Sequence, residues 1–187
     1  DLIFESYNST SDDITGFQVG TISEVSFSSG LEHICIIDES HRVRCSGINS
    51  HGQLGPQFAI GQSLVDFSEH GGAISISAGD YHTCALTARS QVYCWGSMQS
   101  QSSLNDVNSS EKYLNSPTMI GIYEPVKTLS SGDNHACAIG LSGSVFCWKS
   151  LSAVNGLIHS QMIKLGDEID EVAIGLSRGG DRICAIT

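Results

Sequence analysis

No stretch of this chain approaches the roughly eighteen consecutive apolar residues that a membrane-crossing helix needs, so membrane insertion is not expected. Cations are also scarce: nine Lys plus Arg face twenty Asp plus Glu, for a formal net charge of −11. None of the nine sits in a cluster, which argues against nucleic acid and anionic membrane surfaces as partners. Helix-favouring charged stretches are few. The chain lacks an initiator Met, a basic leader and an apolar signal core, and is expected to be a processed protein or a piece of one. No Gly-x-Ser-x-Gly elbow occurs, and Gly71-Gly72 and Gly179-Gly180 precede strands or turns rather than helices. Neither catalysis nor a cofactor is expected.

What the chain does have is glycine (20 residues) and serine, spread between short apolar runs, the signature of an all-β array. One phrase returns four times: Gly30-Leu-Glu-His33-Ile-Cys35, Gly79-Asp-Tyr-His82-Thr-Cys84, Gly132-Asp-Asn-His135-Ala-Cys137 and Gly179-Gly-Asp-Arg182-Ile-Cys184. Its cysteines lie 49, 53 and 47 residues apart, so the chain is one unit used several times.

In the first three copies a second cysteine follows ten residues later, at Cys45, Cys94 and Cys147. That spacing suits cross-strand neighbours in a hairpin. Cys84 and Cys94 fall opposite each other if the turn centres on Arg89, and the same holds about Ser40 and Ser142. Three bridges, Cys35–Cys45, Cys84–Cys94 and Cys137–Cys147, imply an oxidising compartment and a secreted or cell-surface protein. The fourth copy calls for a partner beyond Thr187, which leaves Cys184 unpaired or bridged to another chain. Two sequons, at Asn8 and Asn108, lie in polar stretches where an attached glycan fits the same compartment.

Each unit opens on a short apolar segment ending in glycine: Phe17–Gly20, Phe58–Gly61, Thr118–Gly121 and Met162–Gly166. An alternating strand follows: Val25–Phe27, Ile74–Ile76, Val126–Leu129 and Val172–Ile174. Then come the His-x-Cys strand and a Val-x-Cys strand. Four short strands per period, each of three to six residues, predict an all-β fold of propeller-type blades. Three full repeats and part of a fourth make an incomplete ring. In His82-Thr-Cys-Ala-Leu86 both faces are apolar or small, as in a blade packed on both sides.

His82-Thr-Cys-Ala-Leu86 through Val92-Tyr-Cys-Trp-Gly96, with Asn49-Ser-His-Gly-Gln-Leu-Gly55, resembles the repeat of the regulator of chromosome condensation. The likeness is strongest to the disulfide-bearing variety of secreted and surface proteins. It covers residues 17–187, in units of about 17–55, 56–104, 117–155 and 162–187, with 1–16 as a tail able to supply a pairing strand. The resemblance implies a propeller, seven-bladed in that superfamily. Its members include exchange factors, enzyme inhibitors, receptor ectodomains and surface proteins, so it implies no single function.

The departures are informative. Only the first unit keeps the Asn-x-x-Gly-Gln-Leu-Gly ending; the second has Ser97–Gln101 there and the third Lys149–Ala153. Variable loops on a regular scaffold are the expected binding surface. Trp95 and Trp148 are expected as core between blades, and the histidine as a packing residue bonded to backbone. His-x-Cys invites a metal reading, but a bridged sulfur is no thiolate ligand and Arg182 would spoil a fourth site. Asp80, Asp133 and Asp181 supply one carboxylate per turn, too few for calcium. Arg42, Arg44, Arg89, Lys127 and Lys149 look like solvated surface. The expected function is a non-catalytic extracellular structural or adhesive module with protein partners, copies of itself among them through an open blade edge. A receptor ectodomain or enzyme inhibitor using one propeller face is the alternative.

Overall fold

A computed structural model describes residues 26–57, 59–99 and 113–151 in full, with backbone alone at 58, 153–154, 157–159, 161–163, 173–176 and 183–186. Among these residues there is no α-helix. The strands are β1 (Phe27–Ser29), β2 (His33–Ile37), β3 (Val43–Gly47), β4 (Gln57–Ala59), β5 (Gln62–Val65), β6 (Ala73–Ala78), β7 (His82–Thr87), β8 (Val92–Gly96) and β9 (Leu114–Gly121). They continue as β10 (Val126–Ser131), β11 (Ala136–Gly140), β12 (Val145–Trp148), β13 (Ala153–Val154), β14 (Leu157–His159), β15 (Gln161–Ile163), β16 (Ala173–Leu176) and β17 (Ile183–Ile186).

Three antiparallel blades result: β1-β2-β3-β5, β6-β7-β8-β9 and β10-β11-β12-β15. β16 and β17 pair as the start of another. The innermost strands β1, β6 and β10 lie side by side, which is propeller geometry with the ring not closed. The outer strand of each blade comes from the segment that opens the following sequence unit, so sheet and sequence period are phased one strand apart. The first such segment, expected as one strand over Phe58–Gly61, is instead a hairpin. Gly61 (φ +69°) turns the chain between β4 and β5, and β5 pairs with β3. β9 also exceeds the expected length at eight residues, and β14 adds to it in parallel.

Within blades the registers follow from the hairpins. Cys35 faces Cys45, Cys84 faces Cys94 and Cys137 faces Cys147, each pair with Cα atoms 4.1 Å apart and sulfurs at 2.04 Å. The turns are five-residue hairpins whose fourth residue is left-handed: His41 (φ 57°), Ser90 (φ 58°) and Gly143 (φ 85°). The carbonyls of His41 and Ser90 then accept the N–H of Ala73 and Val126, tying each hairpin to the next blade.

The core lies between blades. One cluster joins Cys35, Val43, Cys45, Leu54, Val65 and Phe67 to Ala85 and Trp95. The next joins Cys84, Leu86, Val92 and Cys94 to Ala136, Ala138 and Trp148. The first two cysteine pairs are therefore sealed against the blade that follows, and both tryptophans are core. β7 is buried on both faces throughout its length, because the second blade has neighbours on either side.

Candidate functional site

The recurring phrase builds one end of the array. A methyl group on Gly30 would overlap the His33 ring, and one on Gly79 the His82 ring. The same methyls would strike the carbonyl oxygens of Gly79 and Gly132, one blade further on. Glycine is thus demanded by two close approaches at once. The turns also bond to one another: Leu31 N–H donates to Asp80 O at 3.4 Å, and Asp80 N–H to Asp133 O at 3.1 Å. Beneath them, Ser28 Oγ accepts Ala78 N–H at 2.9 Å and Ser77 Oγ accepts Ser131 N–H at 2.7 Å.

This rigid row of turns presents an exposed apolar patch with acidic neighbours. Leu31, Ile48 and Tyr113 are about half exposed, beside exposed Glu32, whose carbonyl holds the Ile48 N–H at 2.9 Å. His51 lies with its ring 4.7 Å from Tyr81 and 6.5 Å from Tyr113. Burial, helped by Glu32 and Asp80, pushes the Tyr81 phenol above its ordinary range, so it is neutral near pH 7.

Below the turns runs a buried polar relay. Thr83 Oγ1 lies 2.8 Å from His33 Nε2 and donates to Gln53 O, also at 2.8 Å. Its single hydrogen is thereby used, so His33 Nε2–H is the donor in the first contact. Trp95 Nε1–H donates to the same Gln53 carbonyl at 3.0 Å. The histidine bonds a side chain of the next blade, not backbone as the sequence suggested. One blade on, Ala136 stands where Thr83 would, and neither ring nitrogen of His82 has a hydrogen-bond partner. Burial above all, then the neighbouring His33 and His135, pushes the His82 pKa down to about 3.

The ending that only the first unit keeps is a seat for the next blade. In Asn49–Gly55, residues 52–55 are buried, Asn49 Oδ1 accepts Leu54 N–H at 2.8 Å, and Ser63 Oγ donates to Leu54 O. Gln53 meets the second blade through the relay, its carbonyl accepting from both Thr83 and Trp95. The loops at 100–112 and the side chains of 153–172 lie outside the described residues.

Of the residues singled out in the sequence, the six hairpin cysteines are brought together in pairs. Cys184 is described only in its backbone, opposite Gly175, and Asn8 and Asn108 lie outside the described residues. Among the described residues no group of three His, Cys, Asp or Glu side chains gathers as a metal cage. Two arginines taken for plain surface are anchored: Arg42 and Arg44 both reach Asp38 Oδ2, at 3.0 and 2.9 Å. Burial alone would raise the Asp38 carboxyl, but the bonds from both arginines and from Ser40 N–H outweigh it and hold the carboxyl below the ordinary range.

Blades of four antiparallel strands, interlocked through a repeated Gly-x-x-His turn, define a β-propeller repeat protein. The first two repeats match the family model of the regulator of chromosome condensation (RCC1) repeat, at residues 25–53 and 73–101. "Protein RCC1" of Candida albicans is 27% identical over 175 residues, covering 83% of this chain and 36% of that protein. "Probable E3 ubiquitin-protein ligase HERC6" of Homo sapiens is 31% identical over 133 residues, covering 67% of this chain and 13% of that one. This chain thus spans about a third or less of these relatives. Human WBSCR16 shares the fold with a TM-score of 0.64 at 17% identity, over 94% of this chain and 47% of that one. Yeast RCC1 (Prp20), solved bound to Kap60, gives 0.54 at 18% identity, over 65% and 31%.

Proposed function

We propose that this chain is a non-catalytic protein-binding module of the extracellular space, engaging a partner through the turn face around Leu31, Glu32, Ile48 and Tyr113. The observation that carries the binding reading is that face. Backbone bonds between successive turns hold it in place, so little ordering entropy is lost on contact, and it leaves apolar groups in water. The three buried cysteine pairs support the compartment, since such bridges persist where reductants are absent. Yeast RCC1 (Prp20), solved bound to Kap60, is a precedent for a protein partner of a chain that shares this fold. The ligase name of HERC6 belongs to a protein of which this chain matches 13%, so no ligase activity is transferred.

The test uses the full chain recovered from a eukaryotic secretory host. Non-reducing peptide mapping should find the three hairpin bridges. Cross-linking at the surface of cells that bind the protein should give a partner adduct that Leu31→Asp with Ile48→Asp abolishes. Free thiols at the six hairpin cysteines in the secreted material would defeat the extracellular reading, and an adduct indifferent to both substitutions would defeat the turn face.

A further inference from the structure

The apolar groups of the turn face stand in a row that crosses the first blade. That blade pairs its strands in the order β1-β2-β3-β5-β4. Leu31 lies in the turn from β1 to β2, Ile48 follows β3, and Ile60 sits at the tip of the two-residue turn from β4 to β5. Leu31 and Ile48 are half-exposed, and Ile60 is wholly exposed, so its side chain buries nothing within the chain. Backbone bonds fix the three segments to one another. Ile48 N–H donates to Glu32 O at 2.9 Å, and Gly47 N–H donates to Gly61 O at 3.0 Å. With strands about 4.8 Å apart, the members of the row are about 7 Å apart and span about 14 Å in all.

The flank of the row toward the second blade is negative. Glu32 is exposed and, among the described residues, in no ion pair. Behind burial itself, Glu32 and then Asp80 raise the Tyr81 phenol, which puts both carboxylates around that ring. No described cation of the first two blades answers them, since Arg42, Arg44 and Arg89 lie in or beside the hairpins at the opposite end. Asp133 and Lys149 on the third blade cancel in the charge count, as do Glu111 and Lys112 before Tyr113. The row also crosses strand ends instead of running along a sheet edge. Its Gly47 and Ile48 N–H groups and its Glu32 and Gly61 carbonyls already bond one another. An extended peptide laid there would lose water from its backbone and find no ladder to join. A helix bonds its own backbone internally and brings only side chains. Its residues at i, i+4 and i+8 recur about 6 Å apart, close to the spacing of the row.

We propose that the partner engages the turn face with a basic amphipathic helix, its apolar stripe lying along Leu31, Ile48 and Ile60 and the Lys or Arg of one flank meeting Glu32 and Asp80. This assignment rests on the turn face as the binding surface and adds the chemistry that the face selects. Apolar contact supplies the affinity, because both rows of side chains leave water together. The carboxylates set sign and direction. A helix with acids on that flank, or laid the other way round, loses the attraction or meets like charge at Glu32.

The probe is a fluorescein-labelled peptide, Gly-Ala-Ala-Leu-Ala-Ala-Lys-Leu-Ala-Ala-Lys-Leu-Ala-Gly, which as a helix carries three Leu in line and both Lys on one flank. One twin has Glu for both Lys; the other has Pro for the alanine after the second Leu. The full chain should bind the basic peptide about tenfold tighter than the acidic twin, by a ratio that shrinks with added salt. The Pro twin should bind about tenfold more weakly than the basic peptide, because proline breaks the helix. Glu32→Lys should invert the preference between the basic and acidic peptides, and Ile60→Ser should weaken both alike. Both positions are exposed, so thermal unfolding of the two variants should match the parent. Equal affinity for the basic and acidic peptides, or a preference that survives Glu32→Lys, would overturn the basic assignment. A Pro twin that binds as tightly would overturn the helix, and indifference to Ile60→Ser would overturn the row. The cell-surface adduct separates this from the turn face itself. An adduct lost with Leu31→Asp and Ile48→Asp but indifferent to Glu32→Lys would keep the face and remove the basic helix.

Discussion

The first and second blades meet through a polar lock; the second and third meet through the same backbone frame with the lock removed. At the first junction His33 donates to Thr83, Thr83 to Gln53, and Trp95 to the same carbonyl. At the second, Ala136 replaces Thr83, and His82 and Trp148 Nε1 have no hydrogen-bond partner among the described residues. The frame survives nonetheless: inner-strand serines, turn-to-turn bonds and hairpin carbonyls recur at both junctions. Backbone and glycine packing therefore set where a blade sits. Side-chain polar groups are an addition that one junction has and the other does without, at the expense of unsatisfied atoms in its core.

Lowering the pH should show the largest difference. Folded His82 has a pKa of about 3 against an ordinary 6.5, so protons bind the unfolded chain more readily. Its contribution is intact above pH 6.5 and is lost as the pH falls from there toward 3, by up to about 1.4 kcal/mol per unit. Urea midpoints between pH 7 and 4 measure this, and imidazole nitrogen shifts should show His82 still neutral at pH 5. A flat stability profile, or a His82 ring that titrates near 6.5, would equate the two junctions.

Removing a bridge comes next. Cys35→Ala with Cys45→Ala, and Cys84→Ala with Cys94→Ala, open loops of equal span. Chain entropy predicts about 2–3 kcal/mol for each. Calorimetry should find the two alike; a large inequality would mean that packing against Thr83 or Trp148 outweighs loop entropy.

A smaller contrast separates the tryptophans. Trp95→Phe deletes the bond to Gln53 and should cost about 1–2 kcal/mol. Trp148→Phe deletes a nitrogen that has no bond and should stay within about 0.5 kcal/mol of the parent. Equal losses in chemical denaturation would show that ring volume alone matters. The smallest change builds rather than breaks: Ala136→Ser offers His82 a hydroxyl where Thr83 serves His33. A gain of about 1 kcal/mol and an upward move of the His82 pKa are expected. A loss instead would show that the fully buried site has no room for an oxygen.

Much of the interior of each blade could be read in advance, for a local reason. Cysteines ten residues apart about Arg89, Ser40 and Ser142 define hairpin register by counting, because the pairing is between close neighbours in the chain. The burial of Trp95 and Trp148 followed from their equivalence in a repeat. The relay was less accessible. His33, Thr83 and Gln53 come from three separate segments, and the one trace of it was the Asn49–Gly55 ending, kept in the first unit and lost in the others. That trace was read as a mark of the family resemblance, and the structure gives it a physical role, a seat on the next blade. Arg89, read as solvated surface, is exposed in the structure, whereas Arg42 and Arg44 are held by Asp38.

By itself the chain determined the period, the all-β character, the hairpin registers and the cysteine partners, all properties of patterns within one unit. Only the tertiary structure decided which segment supplies each outer strand and which histidine is bonded. Those outcomes depend on packing between residues about fifty apart, where the geometry of two blades, rather than any spacing along one, selects the contacts that form.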